Sequence, residues 1–235
     1  MINFTAFASS SNGNLYTVDD GNTKVLLEMG LPISRIRQIL GPGLSEISFA
    51  LLSHCHADHS RAVADIMRAG IDVYASASTF DAMGIKGHRA NPIKALKQFR
   101  VGSWTVLPVD VHHDAPDPFA FLMANPMGEK LLFATDTPYL KYRFRGLSVI
   151  AIECNHSQEI LRRNADQGLI TYEHKRRVWR NHFSLEQVKK FLLANDLSAV
   201  QEIHLIHLSD DNSDEALFKK EIQRLTGKPV RVAKA

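Results

Sequence analysis

Three imidazoles and one carboxylate lie within six positions of the chain, in the run His54, His56, Asp58 and His59. The run follows an apolar stretch that ends at Leu52. A spacing of two residues puts His54 and His56 on one side of an extended segment, and Asp58 and His59 can face the same point from the start of a helix. Imidazole nitrogens suit Zn²⁺, and the added carboxylate suits a second or harder divalent ion. The run therefore predicts a metal site, and a chance cluster of surface histidines or a single structural zinc site is the less favoured alternative.

Further candidate ligands come from distant parts of the chain. Each ends an apolar run, and the three are His113, Asp136 and His207. Because residues at strand ends converge at one edge of a sheet, these side chains can meet the first cluster. Each alone is better interpreted as a capped strand end or a structural histidine, but together with the first cluster they favour a site for two metals.

The run at 54–59, followed by His113, Asp136 and His207 in that order, resembles the ligand pattern of the metallo-β-lactamase fold superfamily. The match spans nearly the whole chain. The resemblance implies an α/β fold, an αββα sandwich of the metallo-β-lactamase fold, with a two-metal site at one edge. The implied ligands are His54, His56 and His113 for one metal, Asp58, His59 and His207 for the other, and Asp136 shared by both. True β-lactamases lack the pairing of Asp58 with His59, which disfavours antibiotic hydrolysis.

Shorter motifs resemble the YycJ/WalJ-type group, which is described as metal-dependent DNA 5′ exonucleases. They are residues 9–14, 113–118, 152–156, 175–177, 182–184 and 207–212, and the last two are also similar to tRNase Z. By this resemblance Glu153 and His182 form a carboxylate–imidazole dyad near the metals. Asn155, Arg176 and Arg177 are the candidate substrate contacts.

One position departs from the family pattern. The strand before the first metal loop usually ends in Asp-x-Gly, whereas this chain has Glu28, Met29 and Gly30. That Asp supports the loop that carries the ligands. We therefore expect the longer Glu28 side chain to change the support of the loop rather than metal binding itself.

The pattern of apolar residues predicts the elements that position these side chains. Predicted strands cover residues 24–28, 47–52, 71–75, 104–109 and 130–134, and predicted helices cover 61–68, 185–193 and 214–225. Ser184 and Gly227 are the expected start and stop signals of the second and third helices. We expect a single domain over residues 1–235, with residues 161–180 as a basic insertion.

Composition narrows the class of protein. The chain has 235 residues, of which 45% are hydrophobic and 23% charged, and this rules out disorder over most of the length. Two cysteines exclude a disulfide scaffold, and no apolar run is long enough to cross a membrane. We expect a cytoplasmic protein without a membrane partner. A homodimer is a further expectation, because dimers are common in the resembled fold.

These observations together predict an enzyme that hydrolyses nucleic-acid phosphodiester bonds with two divalent ions, Zn²⁺ or Mn²⁺. A hydroxide on the metals would attack phosphorus, Asp58 would be essential, and His182, kept protonated by Glu153, would donate a proton to the leaving group. DNA is the expected partner and a 5′ exonuclease the expected activity. The alternatives are a cyclic-nucleotide phosphodiesterase, a thioester hydrolase of the glyoxalase type and a non-catalytic metal-binding protein.

Overall fold

Two β-sheets form the centre of the computed structural model, which describes residues 1–233. The first sheet runs in chain order, β1 (Asn3–Ser10), β2 (Gly13–Asp19), β3 (Lys24–Leu27), β4 (Ile47–Leu51), β5 (Asp72–Ser76) and β6 (Ala90–Ile93). Strands β3 to β6 are parallel, whereas β1 and β2 form an antiparallel hairpin with a bulge between Ala6 and Ala8.

The second sheet takes its strands from the rest of the chain. They are β7 (Phe99–Val101), β8 (Trp104–Asp110), β9 (Phe119–Ala124), β10 (Lys130–Ala134), β11 (Val149–Glu153), β12 (Glu202–Ile206) and β13 (Val230–Val232), in the spatial order 13-12-11-10-9-8-7. Strands β10 to β13 are parallel. The five predicted strands are confirmed, with ends shifted by one residue at most.

Helices cover the outer face of each sheet. Those of the first half are α1 (Ile33–Leu40), α2 (Ala57–Ser60), α3 (Val63–Arg68) and α4 (Ala77–Ala82). Those of the second half are α5 (Gln158–Asp166), α6 (Tyr172–Asn181), α7 (Leu185–Leu193) and α8 (Glu215–Thr226). No helix within residues 1–233 is both long and apolar enough to span a membrane.

Side-chain alternation along the central strands produces four layers. On β10, Leu131 and Phe133 point into the core between the sheets, while Leu132 and Ala134 point into the core beneath the second set of helices. Apolar residues on both faces are typical of parallel strands that are covered on both sides. The arrangement confirms the expected αββα sandwich.

Local capping explains where the helices of the second half begin. Ser184 accepts a hydrogen bond from the backbone N–H of Gln187 at the start of α7, as the sequence indicated. The basic stretch 161–180 had no assigned structure, and it forms parts of α5 and α6. Side chains of Ser157 and Thr171 cap these two helices.

Candidate metal centre and active site

The carboxyl ends of the parallel strands place the candidate residues at one edge of the sandwich. Glu28 follows β3, Asp136 lies just beyond β10, and His207 directly follows β12. These residues have left-handed backbones, with φ of 61°, 42° and 52° respectively. Such a conformation is uncommon for residues other than glycine and is found at functional sites that the surrounding fold holds in place.

The loop that follows β4 is held by backbone and side-chain contacts. Glu28 Oε1 accepts a hydrogen bond from the backbone N–H of Ser53 at 3.1 Å. His56 begins α2, because its carbonyl accepts the N–H groups of His59 and Ser60. The predicted geometry of an extended segment followed by a helix is therefore present.

Gly30 allows the end of β3 to approach this loop. The backbone N–H of Met29 donates to the His59 carbonyl at 2.6 Å. A Cβ atom at Gly30 would lie 1.6 Å from the Asp58 carbonyl oxygen. Only glycine fits here, and the ligand loop is therefore fixed directly to the first sheet.

The first set of side chains consists of His54, His56 and His113, which we call the imidazole group. Their candidate ligand atoms all lie within 4.8 Å of one another. His113 Nε2 is 3.1 Å from His56 Nδ1. Burial lowers the pKa of His54 and of His113, so these rings are neutral near pH 7 and their lone pairs are available to a cation.

The second set consists of Asp58, His59, Asp136 and His207, which we call the carboxylate group, and its ligand atoms lie within the same limit. His59 Nε2 is 3.2 Å from Asp58 Oδ2 and 3.4 Å from Asp136 Oδ1. Burial alone would lower the pKa of His207, but the Asp136 carboxylate and its acidic neighbours raise that pKa to about 10.

Asp136 lies between the two groups. Its Oδ2 atom is 3.5 Å from His113 Nε2 and 3.9 Å from His54 Nε2. Its Oδ1 atom is 3.1 Å from His207 Nδ1. Each oxygen of one carboxylate therefore faces a different group.

The donor set fits divalent cations. Among residues 1–233, every ion pair of Asp136 and Glu153 is with a histidine, and no Lys or Arg neutralises these buried carboxylates. In the same part of the chain, the buried Nε2 atoms of His54 and His207 have no hydrogen-bond partner. Unpaired buried nitrogens beside buried negative charge are the arrangement that a cation would satisfy.

Most of the chain matches a known protein family. Residues 30–208 match the model described as a β-lactamase superfamily domain. The chain belongs to the metallo-β-lactamase fold superfamily. Relatives of this superfamily member include the exodeoxyribonuclease YycJ of Bacillus anthracis, 26% identical over 95% of this chain and 89% of that protein. Exodeoxyribonuclease WalJ of Streptococcus pneumoniae is also 26% identical, over 91% of this chain and 84% of that protein.

Solved structures share the superfamily fold over the whole chain. The metallo-β-lactamase fold protein YhfI of Bacillus subtilis has a TM-score of 0.76 at 13% identity, covering 99% of this chain and 96% of that one. A diphosphatase of the PhnP family has a TM-score of 0.68 at 14% identity, and human tRNase Z, short form, one of 0.64 at 11%. Each of these two covers 100% of this chain and 96% of its own.

A carboxylate–imidazole dyad adjoins the carboxylate group of this superfamily member. Glu153 Oε1 lies 2.6 Å from His182 Nδ1 and 2.8 Å from His207 Nδ1. Glu153 Oε2 accepts the backbone N–H groups of Thr137 and Phe183. Burial alone would lower the pKa of His182, but the Glu153 carboxylate raises it above the ordinary value.

Helix α6 forms one wall of the cavity above the two groups. The cavity has a volume of about 230 Å³, and His182, Asn155 and Arg177 are among its lining residues. Asn155 also donates from Nδ2 to the His207 carbonyl at 3.1 Å, which holds the strand end in place. Arg176 lines a different depression of the surface, because consecutive helical residues point about 100° apart.

Several residues at this site had no role assigned from the sequence, although Ser11 and Asn14 lie within the motif 9–14. His174 lines the cavity from α6, one turn before Arg177, and Ser11 lines it from the β1–β2 turn. Asn14 Nδ2 lies 3.2 Å from His59 Nε2. The spacing of His174, Arg177 and Val178 at i, i+3 and i+4 was the available signal for a shared helix face. Glu28 departs from the family pattern, and its Oε2 atom lies 3.3 Å from His59 Nδ1.

Proposed function

We propose that this protein is a metal-dependent phosphodiesterase that removes nucleotides from the 5′ end of DNA. The observation that carries the proposal is the set of metal-capable groups at the base of a cavity that a basic helix lines. The names of the two exodeoxyribonuclease relatives, similar over most of both chains, support DNA as the substrate. The negative charge of a phosphodiester is opposite to that of bound cations and of Arg177, so the cavity would attract it.

The imidazole group would hold one divalent ion and the carboxylate group a second, with one oxygen of Asp136 available to each. Zn²⁺ and Mn²⁺ both suit imidazole and carboxylate ligands. When bound, such ions supply Lewis-acid activation of water and neutralise charge on the phosphate. The side chain of Asp58 provides a carboxylate at the cavity, and its loss removes a ligand without affecting the strand ends.

The Glu153–His182 dyad supplies the proton for the leaving group. Hydrolysis adds water across a P–O bond, and the alkoxide that departs must be protonated. Glu153 accepts a hydrogen bond from His182 Nδ1, so the other ring nitrogen, Nε2, is the one that can donate a proton to the substrate. The Glu153 carboxylate raises the pKa of His182 above its ordinary value, which favours the protonated ring that a general acid needs.

Three residues are assigned to substrate binding. Arg177 contacts a phosphate in the cavity, and Arg176 contacts the DNA backbone outside it, because the two side chains leave α6 in different directions. Asn155 lines the cavity and holds the His207 carbonyl. Loss of Asn155 should therefore affect both substrate affinity and the geometry of the carboxylate group.

The test is digestion of 5′-labelled and 3′-labelled DNA, single-stranded and double-stranded, with Mn²⁺ or Zn²⁺. Asp58→Ala is the inactive variant, and Asp81→Ala is the matched control, because Asp81 is an exposed carboxylate on α4 outside the cavity. We expect nucleotide release from the 5′ end that Asp58→Ala abolishes and Asp81→Ala retains.

A panel of cyclic mononucleotides and a thioester substrate accompanies the DNA. Cleavage of the cyclic nucleotides alone would move the activity to a small phosphodiester and contradict the DNA assignment. Silence on every substrate, with two metals measured per chain, would contradict catalysis and favour a metal-binding role.

A further inference from the structure

Helix α6 has a second face, on the opposite side from the cavity. Its residues recur at i, i+3, i+4, i+7 and i+8, which is the spacing of one continuous stripe. We call this the outer stripe, and its members are Tyr172, Lys175, Arg176, Trp179 and Arg180. At about 100° per residue, its centre lies roughly 180° around the helix from the stripe of His174, Arg177 and Val178.

Two aromatic rings on the outer stripe are exposed to solvent. Tyr172 is 64% exposed and Trp179 49% exposed, whereas the other tryptophan, Trp104, is completely buried. The ammonium of Lys175 lies 5.6 Å from the centre of the Tyr172 ring. Tyr and Trp are enriched at contact surfaces, because each has a large apolar ring and a polar atom that can stay in water.

Open space borders Trp179 on two sides. A depression of about 270 Å³ lies along the outer stripe itself, between Trp179 and Tyr172. A second of about 590 Å³ lies between Trp179 and helix α5, with Arg162 and Glu159 among its lining residues. A planar group can therefore reach the indole without displacing part of the protein.

We propose that the outer stripe binds an unpaired segment of the nucleic-acid substrate. This inference rests on the proposed function and extends it, because it assigns single-stranded DNA as the class that the surface favours. Bases stack on Trp179 and Tyr172, and the cations of the stripe pair with the phosphates. The two aromatic residues are seven positions apart, about 10.5 Å along the helix axis, which corresponds to about three stacked nucleotides.

The charge of the outer stripe favours nucleic acid over a second copy of this chain, and its small apolar content disfavours a membrane surface. In a two-fold contact between copies, the stripe would meet itself and oppose cations with cations. The stripe itself has three cations, Lys175, Arg176 and Arg180, and no acidic member, so it offers nothing of its own to offset that repulsion. A membrane surface would require an apolar face, but the only apolar members of the stripe are Tyr172 and Trp179.

The position of the stripe predicts a dependence on strand length. A helix with side chains is about 10–12 Å wide, so a strand must follow roughly 17 Å around α6 to pass from the cavity to the outer stripe. That path corresponds to about five stacked nucleotides. A substrate of four nucleotides ends before the stripe, whereas one of twelve reaches both rings.

Fluorescence of the metal-loaded protein tests this binding without relying on cleavage. The probe is a twelve-nucleotide oligothymidylate with phosphorothioate linkages, which resist hydrolysis. Because Trp104 is buried, quenching reports Trp179. We expect saturable quenching in the unaltered protein and none in Trp179→Phe. By anisotropy, Trp179→Phe should keep most of its affinity for the labelled probe, because the ring can still stack, and Trp179→Leu should bind about 5- to 150-fold more weakly.

Cleavage kinetics and matched controls complete the test. Trp179→Leu should raise KM for a twelve-nucleotide substrate with kcat unchanged, and should leave a four-nucleotide substrate unaffected. Leu193→Ala removes another exposed apolar side chain, 69% exposed on α7. It should not alter the kinetics with either the twelve-nucleotide or the four-nucleotide substrate. Equal binding by Trp179→Leu and the unaltered protein would overturn the inference, and so would quenching by phosphatidylglycerol vesicles without quenching by the oligothymidylate.

The outcomes for the stripe and for catalysis are separable. Quenching and length-dependent binding without nucleotide release would contradict the exonuclease activity and support the stripe. Release of 5′ nucleotides that is insensitive to Trp179→Leu at every substrate length would support the exonuclease and contradict the stripe.

Discussion

In the metal-free chain, the pKa values of buried histidines are shifted in opposite directions in the imidazole group and the carboxylate group. Burial lowers the pKa of His54 and His113, whose rings are neutral near pH 7. His59 and His207 are equally buried, but the Asp136 carboxylate and its acidic neighbours raise their pKa. The comparison shows that the position of the carboxylates, rather than burial itself, determines which histidines carry protons.

This difference separates the two groups in how they accept a cation. A cation that enters the imidazole group meets free lone pairs. A cation that enters the carboxylate group must displace protons from His59 and His207, although the carboxylates attract it. The groups are therefore expected to differ in pH dependence, and Asp136 is the residue that connects them.

Asp136→Ala should have the largest effect, because one carboxylate faces both groups. We expect phosphodiester hydrolysis to fall to background and metal content to drop from two ions per chain to less than one. Metal analysis by mass spectrometry and the labelled-DNA assay measure the two effects. Full retention of both ions would contradict the shared role of Asp136.

His182→Ala should reduce turnover about 10²- to 10⁴-fold while both ions stay bound, because a general acid is lost and no ligand is removed. His88→Ala is the matched control, since His88 is exposed and lies outside the cavity. Loss of an ion from the carboxylate group in His182→Ala would reassign His182 as a ligand.

The pH dependence of metal affinity distinguishes the two groups. With a pKa of about 10, His207 carries a proton throughout the range from pH 6 to pH 8 in the metal-free chain. Each displaced proton makes affinity rise about tenfold per pH unit, so the His207 proton alone gives about a 100-fold rise across this range, and displacement of the His59 proton makes the rise steeper. Metal affinity at the imidazole group should change little with pH, because His54 and His113 are already neutral. Competition with a chelator at each pH measures both affinities, and equal slopes would refute the distinction.

Glu28→Gln should have the smallest effect of the four. The carboxylate of Glu28 lies 3.3 Å from His59 Nδ1, so the amide keeps a polar neighbour but loses the negative charge that orients this ring. We expect affinity at the carboxylate group to fall about tenfold, with the imidazole group unchanged. The same chelator competition measures both, and an equal loss at the two groups would indicate that Glu28 acts on the whole loop.

The sequence predicted the parts of the fold that have a strong apolar period. Strand β10 reads as Leu131, Leu132, Phe133 and Ala134, and every one of these side chains is buried. The seven residues named as metal ligands meet at one edge because they lie on the loops and the short helix α2 that come after strand ends, and strand ends can be read from the sequence. Their roles as ligands remain a prediction.

Contacts between distant segments could not be predicted in this way. Helix α6 buries only Val178 and Asn181, so its apolar period is too weak to predict the helix, and the spacing of His174 and Arg177 indicates a shared face only once the helix is known. Asn14 reaches His59 across 45 positions because the β1–β2 hairpin packs against the ligand loop. Such a contact depends on tertiary packing, so the resemblance of residues 9–14 to a family motif could not show that Asn14 reaches His59.

The left-handed backbone at residues 28, 136 and 207 has a consequence for the evolution of the protein. Glycine adopts this conformation at little cost, whereas Glu28, Asp136 and His207 adopt it with strain. Selection for thermal stability alone would therefore favour glycine or asparagine at these positions, and it would remove two predicted ligands, Asp136 and His207, together with Glu28, which contacts His59. These three strand ends mark where the protein trades folding stability for chemistry.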